Sequence, residues 1–179
     1  MEQVETKTSS RLLAIAHNGN LSNGLMFAED VGSDRRPMDR AYAERRMRWE
    51  PIYEVTQIKG DGETHPLLSP NDEFAGFERW DKGSFGTEAK TPAMLRGEYA
   101  RAALMRGLAL EAKLGVNPFK LGLIGSTDSH TSLATTREEN FFGKTAPQEP
   151  SPERLTKAFF TDPKTGVKIM DWEVGASGY

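Results

Sequence analysis

Apolar residues gather in a few short runs along this chain, separated by long polar stretches. Residues 1–11 are polar and read as a flexible leader. Leu12–Ala16 (LLAIA) is apolar on both faces, the pattern of a buried parallel strand, and ends in the turn-forming cluster His17-Asn18-Gly19-Asn20. Pro37–Trp49 (PMDRAYAERRMRW) predicts a helix with Pro37 in its first turn, Pro51 closing it, and Met38 and Tyr42 packed inward. Ile52–Ile58 (IYEVTQI) is rich in β-branched residues and predicts a second strand.

Lys59–Lys90 then carries Gly, Asp, Glu and Pro over a length unusual for a connection without a role of its own. Its Phe74, Phe77 and Trp80 predict order, with all three rings kept from solvent. Pro92–Leu114 is the strongest helical pattern: Thr91 stands as N-cap, Gly115 as a left-handed C-cap, and Leu95, Tyr99, Ala102, Met105/Arg106 and Ala109 share one face. Gly97 and Gly107, costly inside a helix, predict close packing on a neighbouring backbone. Leu121–Gly125 predicts a third strand and Pro152–Phe160 a weaker helix, and the tail ends without a clear final element. There is no internal repeat and no low-complexity tract.

Strand–helix–strand–helix–strand implies an α/β fold built from parallel βαβ units with right-handed crossovers. Sites in such folds form at the carboxyl ends of the strands. All three predicted strands end in polar groups: His17 and Asn18, then Gln57 and Lys59, then Asp128 and His130.

Composition narrows the chemistry. At 179 residues the chain is the size of one ordinary domain, or a piece of a larger one, and 37% hydrophobic residues with a mean hydropathy of -0.59 is lean for it. A formal net charge of -3 gives no reason to expect nucleic acid or an anionic membrane as partner. No apolar run is long enough to span a bilayer, and MEQVETKTSS has no apolar signal core. With no Cys, any metal must be held by His, Asp or Glu, and neither the cytoplasm nor the periplasm is excluded.

Asp128-Ser129-His130 is the strongest candidate, because a carboxylate and an imidazole two residues apart can face one cavity and both suit divalent transition metals. A turn whose Asp accepts backbone amides explains the same pattern. His17, at a strand end, reads as a structural histidine or as a ligand. Asn18, Asn20 and Asn23 suit a loop that needs left-handed backbone. Glu54 faces either a cavity or a buried ion pair. Glu63 and His65 lie in the long loop, and the choice there is an exposed turn or a contact with substrate. Lys59 is a surface lysine or a partner for an anionic substrate group. Gly19, Gly24, Gly60 and Gly62 lack the spacing of a phosphate-cradling loop, and Ser126 lacks the context of a nucleophile elbow.

The stretches AIAHNGNLSNGLMF (Ala14–Phe27), VTQIKGDGETHPLLSPNDEF (Val55–Phe74) and EAKLGVNPFKLGLIGSTDSHT (Glu111–Thr131) closely resemble the bacterial family called domain of unknown function 3604, a branch similar to PHP and amidohydrolase-like metal-dependent hydrolases. The resemblance implies part of a distorted (β/α)7 barrel, with residues 12–145 as the matched domain and 146–179 as its C-terminal extension. It implies divalent metal ions (Mn, Zn or Fe) held by His17, Asp128 and His130, and catalytic roles for Asp128 and Glu54. Asn18, Lys59, Glu63 and His65 are then expected to bind a small-molecule substrate such as a phosphate ester. PHP-type enzymes begin with an H-x-H pair that this chain lacks, so the resemblance also implies an incomplete barrel completed by a missing segment or a partner. Two alternatives accompany it: a chain acting only as a binding or assembly module, and an amide or carbamate hydrolase on the same scaffold.

Overall fold

The parallel pairing expected from the two early apolar runs is present. In this computed structural model β1 (Ile15–Ala16) lies beside β2 (Ile52–Gln57) in parallel, with Ile15 opposite Ile52 and Ala16 opposite Tyr53. The structure describes residues 1–28, 36–84, 89–130, 144–145, 151–153 and 155–175. The chain divides into two compact units, one formed by Met1–Val55 and Asp61–Ile124, the other by Thr56–Gly60 and Gly125–Tyr179. The fold is mixed α/β; no closed barrel is seen among the described residues.

In the first unit, α1 (Glu2–Thr8) occupies the segment expected as a leader. Its acidic first turn and Lys7 near its end suit the helix dipole, and Glu5 ties it down by accepting Leu12 N–H at 2.9 Å and Arg48 at 2.6 Å. The helix expected from Pro37 begins later, as α2 (Arg40–Trp49). Asp39 is the N-cap, its carboxylate accepting Tyr42 N–H at 2.7 Å, and this cap sets the start in place of Pro37. After β2 a short strand not expected from sequence, β3 (Gly60–Asp61), turns back along it. β4 (Gly122–Gly125) also pairs with β2, and Gly122 N–H meets Pro51 O at 2.8 Å.

The single long helix expected over Pro92–Leu114 is broken into α3 (Pro92–Leu95) and α4 (Ala100–Leu114). Gly97 lies against the backbone of Gly24, and its carbonyl accepts Phe27 N–H at 2.8 Å, so residues 96–99 bond across to a loop instead of continuing the helical ladder. The break resets the helical phase. Ala100, Ala103, Arg106 and Gly107 are buried on α4, so of the face expected from the spacing Arg106 is covered while Met105 and Ala109 are exposed. Gly107 packs on the Asn117 side chain, not on backbone. Gly115 closes α4 in the expected left-handed conformation (φ 75°).

The core of this unit is Phe27, Tyr53, Ala100, Ala103 and Phe119, with Met38, Val55, Leu110 and Leu121 packed around it. Phe27 meets Tyr53 and Phe119 edge to face at 5.0 and 5.5 Å. Two guanidiniums satisfy loop carbonyls beside this cluster: Arg46 bonds Met26 O at 2.5 Å and lies over the Phe119 ring, and Arg106 bonds Phe27 O at 2.6 Å.

In the second unit the last three residues of the expected helix Pro152–Phe160 instead open a hairpin. β5 (Ala158–Thr161) pairs antiparallel with β6 (Lys168–Met170), and α5 (Asp171–Gly175) follows where no element was expected. The turn explains the difference. Asp162 accepts Lys164 N–H at 2.7 Å and Thr165 N–H at 3.3 Å, and Gly166 supplies φ 72°, so Thr161–Gly166 reverses the chain and the aromatic pair Phe159-Phe160 takes the strand conformation it prefers. The terminal residues 176–179 lie outside the described ones.

Candidate functional site

In the second unit, the ends of β2 and β4 carry the chain into one polar cluster. Ser126 N–H bonds Thr56 O at 3.2 Å, and a side chain at Gly125 would meet Thr56 Cγ2 at 3.0 Å, so the two strand ends run close together. Lys59 follows one and Asp128 the other. Asp128 is left-handed (φ 53°), a conformation that Asp tolerates better than most residues, and Ser129 N–H is held by Thr127 Oγ1 at 3.2 Å. The turn presents the Asp128 carboxylate to three partners. Oδ2 accepts Lys59 Nζ at 2.6 Å and also Lys144 Nζ, and Oδ1 lies 3.1 Å from His130 Nε2. The backbone closes the group, with His130 N–H donating to Lys144 O at 2.7 Å.

Burial and charge decide the protonation states. The Lys59 and Lys144 side chains are 12% and 9% exposed, whereas the His130 side chain is 56% exposed. Burial by itself raises the Asp128 carboxyl, but the hydrogen bonds from Lys144 and Lys59 outweigh it and hold the group well below the usual carboxylate range. Burial pushes the Lys144 ammonium down, with the like charge of Lys59 acting the same way and Asp128 opposing both. The result is a fixed carboxylate between two ammonium groups, with an imidazole at its open side.

The family resemblance implies a divalent ion for this place, and Asp128 and His130 are two donors of the kind such an ion takes. Two donors bound to one first-row metal at about 2.1 Å each stand roughly 3 Å apart, close to the Oδ1–Nε2 separation. Oδ2 already accepts from two ammonium groups, which leaves Oδ1 as the carboxylate oxygen turned to the imidazole. Among the described residues, no three His, Asp or Glu side chains gather closely enough to hold a metal.

The other expected residues belong to the first unit. The register Ala16–Tyr53 sets His17 and Glu54 next in line on paired strands. His17 is exposed, its Nδ1 3.1 Å from Ile15 O, and Glu54 is buried. Asn18 has φ 59° and caps a short 3-10 turn, Gly19–Leu21; Asn23 has φ 53°. The left-handed role expected for the asparagines thus holds for these two, while Asn20 is buried with its amide on Trp80 O at 3.0 Å. His65 does not sit in an exposed turn. It is 3% exposed, accepts Leu67 N–H on Nδ1 at 3.1 Å and therefore donates from Nε2 to Asp81 at 2.9 Å. Glu63 is exposed and pairs with Arg101 at 2.5 Å. Lys59, Asp128 and His130 are thus brought together.

Lys144 escaped sequence reading. It follows Gly143 and reaches Asp128 from 16 residues away, beyond any periodic signal. Asp81, the partner of His65, is hidden in the same way across 16 residues.

A family model described as "Protein of unknown function (DUF3604)" matches residues 1–179, the whole chain, and the protein belongs to that family. No curated protein and no solved structure matched it. No helix among the described residues is long and apolar enough to cross a membrane.

Proposed function

We propose that this member of the DUF3604 family supplies part of the centre of a metal-dependent hydrolase acting on an anionic ester, of the phosphoesterase kind. The observation that supports it is the Asp128–His130 pair, 3.1 Å apart at a strand end, with two ammonium groups on the far carboxylate oxygen. Asp128 stays ionised across the neutral range and offers Oδ1 to a cation. His130 offers Nε2 to the same cation. When bound, a divalent metal lowers the pKa of a water and polarises the ester oxygen. Lys59 and Lys144 hold the carboxylate in place and present positive charge to the anionic group of the substrate. The parallel β1–β2 pair, with polar residues after each strand, supports a scaffold of the PHP-like (β/α)7 kind.

Titration of the chain with Mn²⁺ and Zn²⁺ by calorimetry tests the proposal. The expected result is weak, saturable binding that falls on the order of tenfold or more in Asp128→Ala and in His130→Ala. Binding unchanged in both variants sinks it. The same titration on His17→Ala tests the ligand role that the resemblance gives to that residue by itself.

A further inference from the structure

The first unit holds a hollow of about 370 Å³, well apart in sequence from Asp128, and its walls follow from the local chain. At the start of α4, Ala100 and Arg101 donate their backbone N–H groups to Gly62 and Glu63 carbonyls, both at 2.9 Å. That docking fixes the Arg101 side chain, which bridges Glu63 at 2.5 Å and Asp72 at 2.6 Å. Asp61 lines the hollow too, and its carboxylate accepts Glu63 N–H at 2.9 Å. Three carboxylates thus face one guanidinium, leaving an excess of two negative charges.

The remaining wall is aromatic. Phe74 and Phe77 line the hollow while 72% and 68% exposed, against the expectation that they would be covered. They do not sit on a loose loop. Phe74 N–H bonds Asp72 Oδ1 at 3.0 Å, Phe77 N–H bonds Phe74 O at 2.9 Å, and Asp61 N–H bonds Glu78 O at 3.1 Å. The partly buried His65–Asp81 bond fastens the same loop. Two phenyl faces are therefore held in water beside excess negative charge.

We infer that this hollow binds an organic cation: an ammonium or guanidinium group on an apolar stem. Anions are repelled by the lining, and a neutral sugar gains nothing from its charge. A cation gains from the carboxylates and from the negative faces of both rings, while its stem covers apolar surface that is now in water. A free alkylamine and the side chain of a peptide lysine share this chemistry. The inference uses no residue of the Asp128 cluster and stands independently of the hydrolase proposal.

Amide NMR spectra of the isotopically labelled chain, titrated with n-butylammonium, Nα-acetyl-lysine amide, butyrate and methyl glucoside, test it. Saturable shifts at Thr64, Phe74 and Phe77 are expected with the two cations, and the tighter of the two identifies the source. Phe74→Leu and Phe77→Leu keep an apolar side chain but lose the ring face, and because both rings are exposed the fold is kept. Each is expected to weaken cation binding roughly two- to fivefold, and added salt weakens it further. Equal shifts with butyrate, binding of the glucoside alone, unchanged affinity in both variants, or no shift with either cation overturns the inference.

Discussion

The hydroxyl of Tyr53 is wedged between two glycines that sequence reading dismissed as a failed phosphate loop. A side chain at Gly62 would collide with that hydroxyl, with the Tyr53 ring at 3.2 Å and Val55 O also at 3.2 Å; at Gly19 it would strike both the hydroxyl and the Glu98 backbone carbonyl. The two positions therefore differ in what can give way. Gly62→Ala is expected to cost about 1–3 kcal/mol through overpacking, and Tyr53→Phe in the same chain to recover much of it. Gly19→Ala is expected to resist that rescue, because backbone blocks it. Thermal unfolding of the four variants checks this, and equal rescue at both glycines contradicts it. At this scale the left-handed asparagines 18 and 23 were legible because the residue type carries the preference. Burial was not: Phe74 and Phe77 read as covered, since a ring does not reveal in sequence whether a neighbour reaches it.

Elements were legible where the local signals agreed. β1, β2, β4 and the Gly115 cap stood near their expected places because apolar runs and breakers pointed the same way. The break between α3 and α4 was hidden, since Gly97 contacts Gly24, a residue 73 positions earlier (97 minus 24) that no periodicity can show. The β5–β6 hairpin was hidden for a local reason. Its turn, Thr161–Gly166, lies in the tail that shows no clear element in sequence, and the residues before it read as a helix. The start of α2 offers a direct test of local capping. Asp39→Ala is expected to lower stability by about 1 kcal/mol and to speed exchange of the Tyr42 amide, measured by denaturant unfolding and hydrogen exchange. An unchanged Tyr42 amide would contradict the cap.

For the whole molecule, the apolar cluster around Phe27 lies in the first unit and the charged Asp128 cluster in the second. Half of the candidate site was legible because Asp128 and His130 are two residues apart and share one turn. Lys144 was not, because only folding brings it to them. The buried phenols of the first unit carry a consequence for alkaline solution. Burial holds the Tyr53 and Tyr99 hydroxyls far above the ordinary tyrosine range, with nearby carboxylates adding to the effect. Below that range both states keep these protons. Above it the unfolded chain releases them while the folded chain does not, so the folded state loses stability as pH rises. Two of the four tyrosines are thus silent dyes. Their phenolate absorbance is expected to appear together with the loss of circular dichroism, with one phenol fewer in Tyr53→Phe. Complete ionisation in a chain that keeps its dichroism would contradict this. The fold therefore carries its own optical alarm, one that stays dark until the first unit opens.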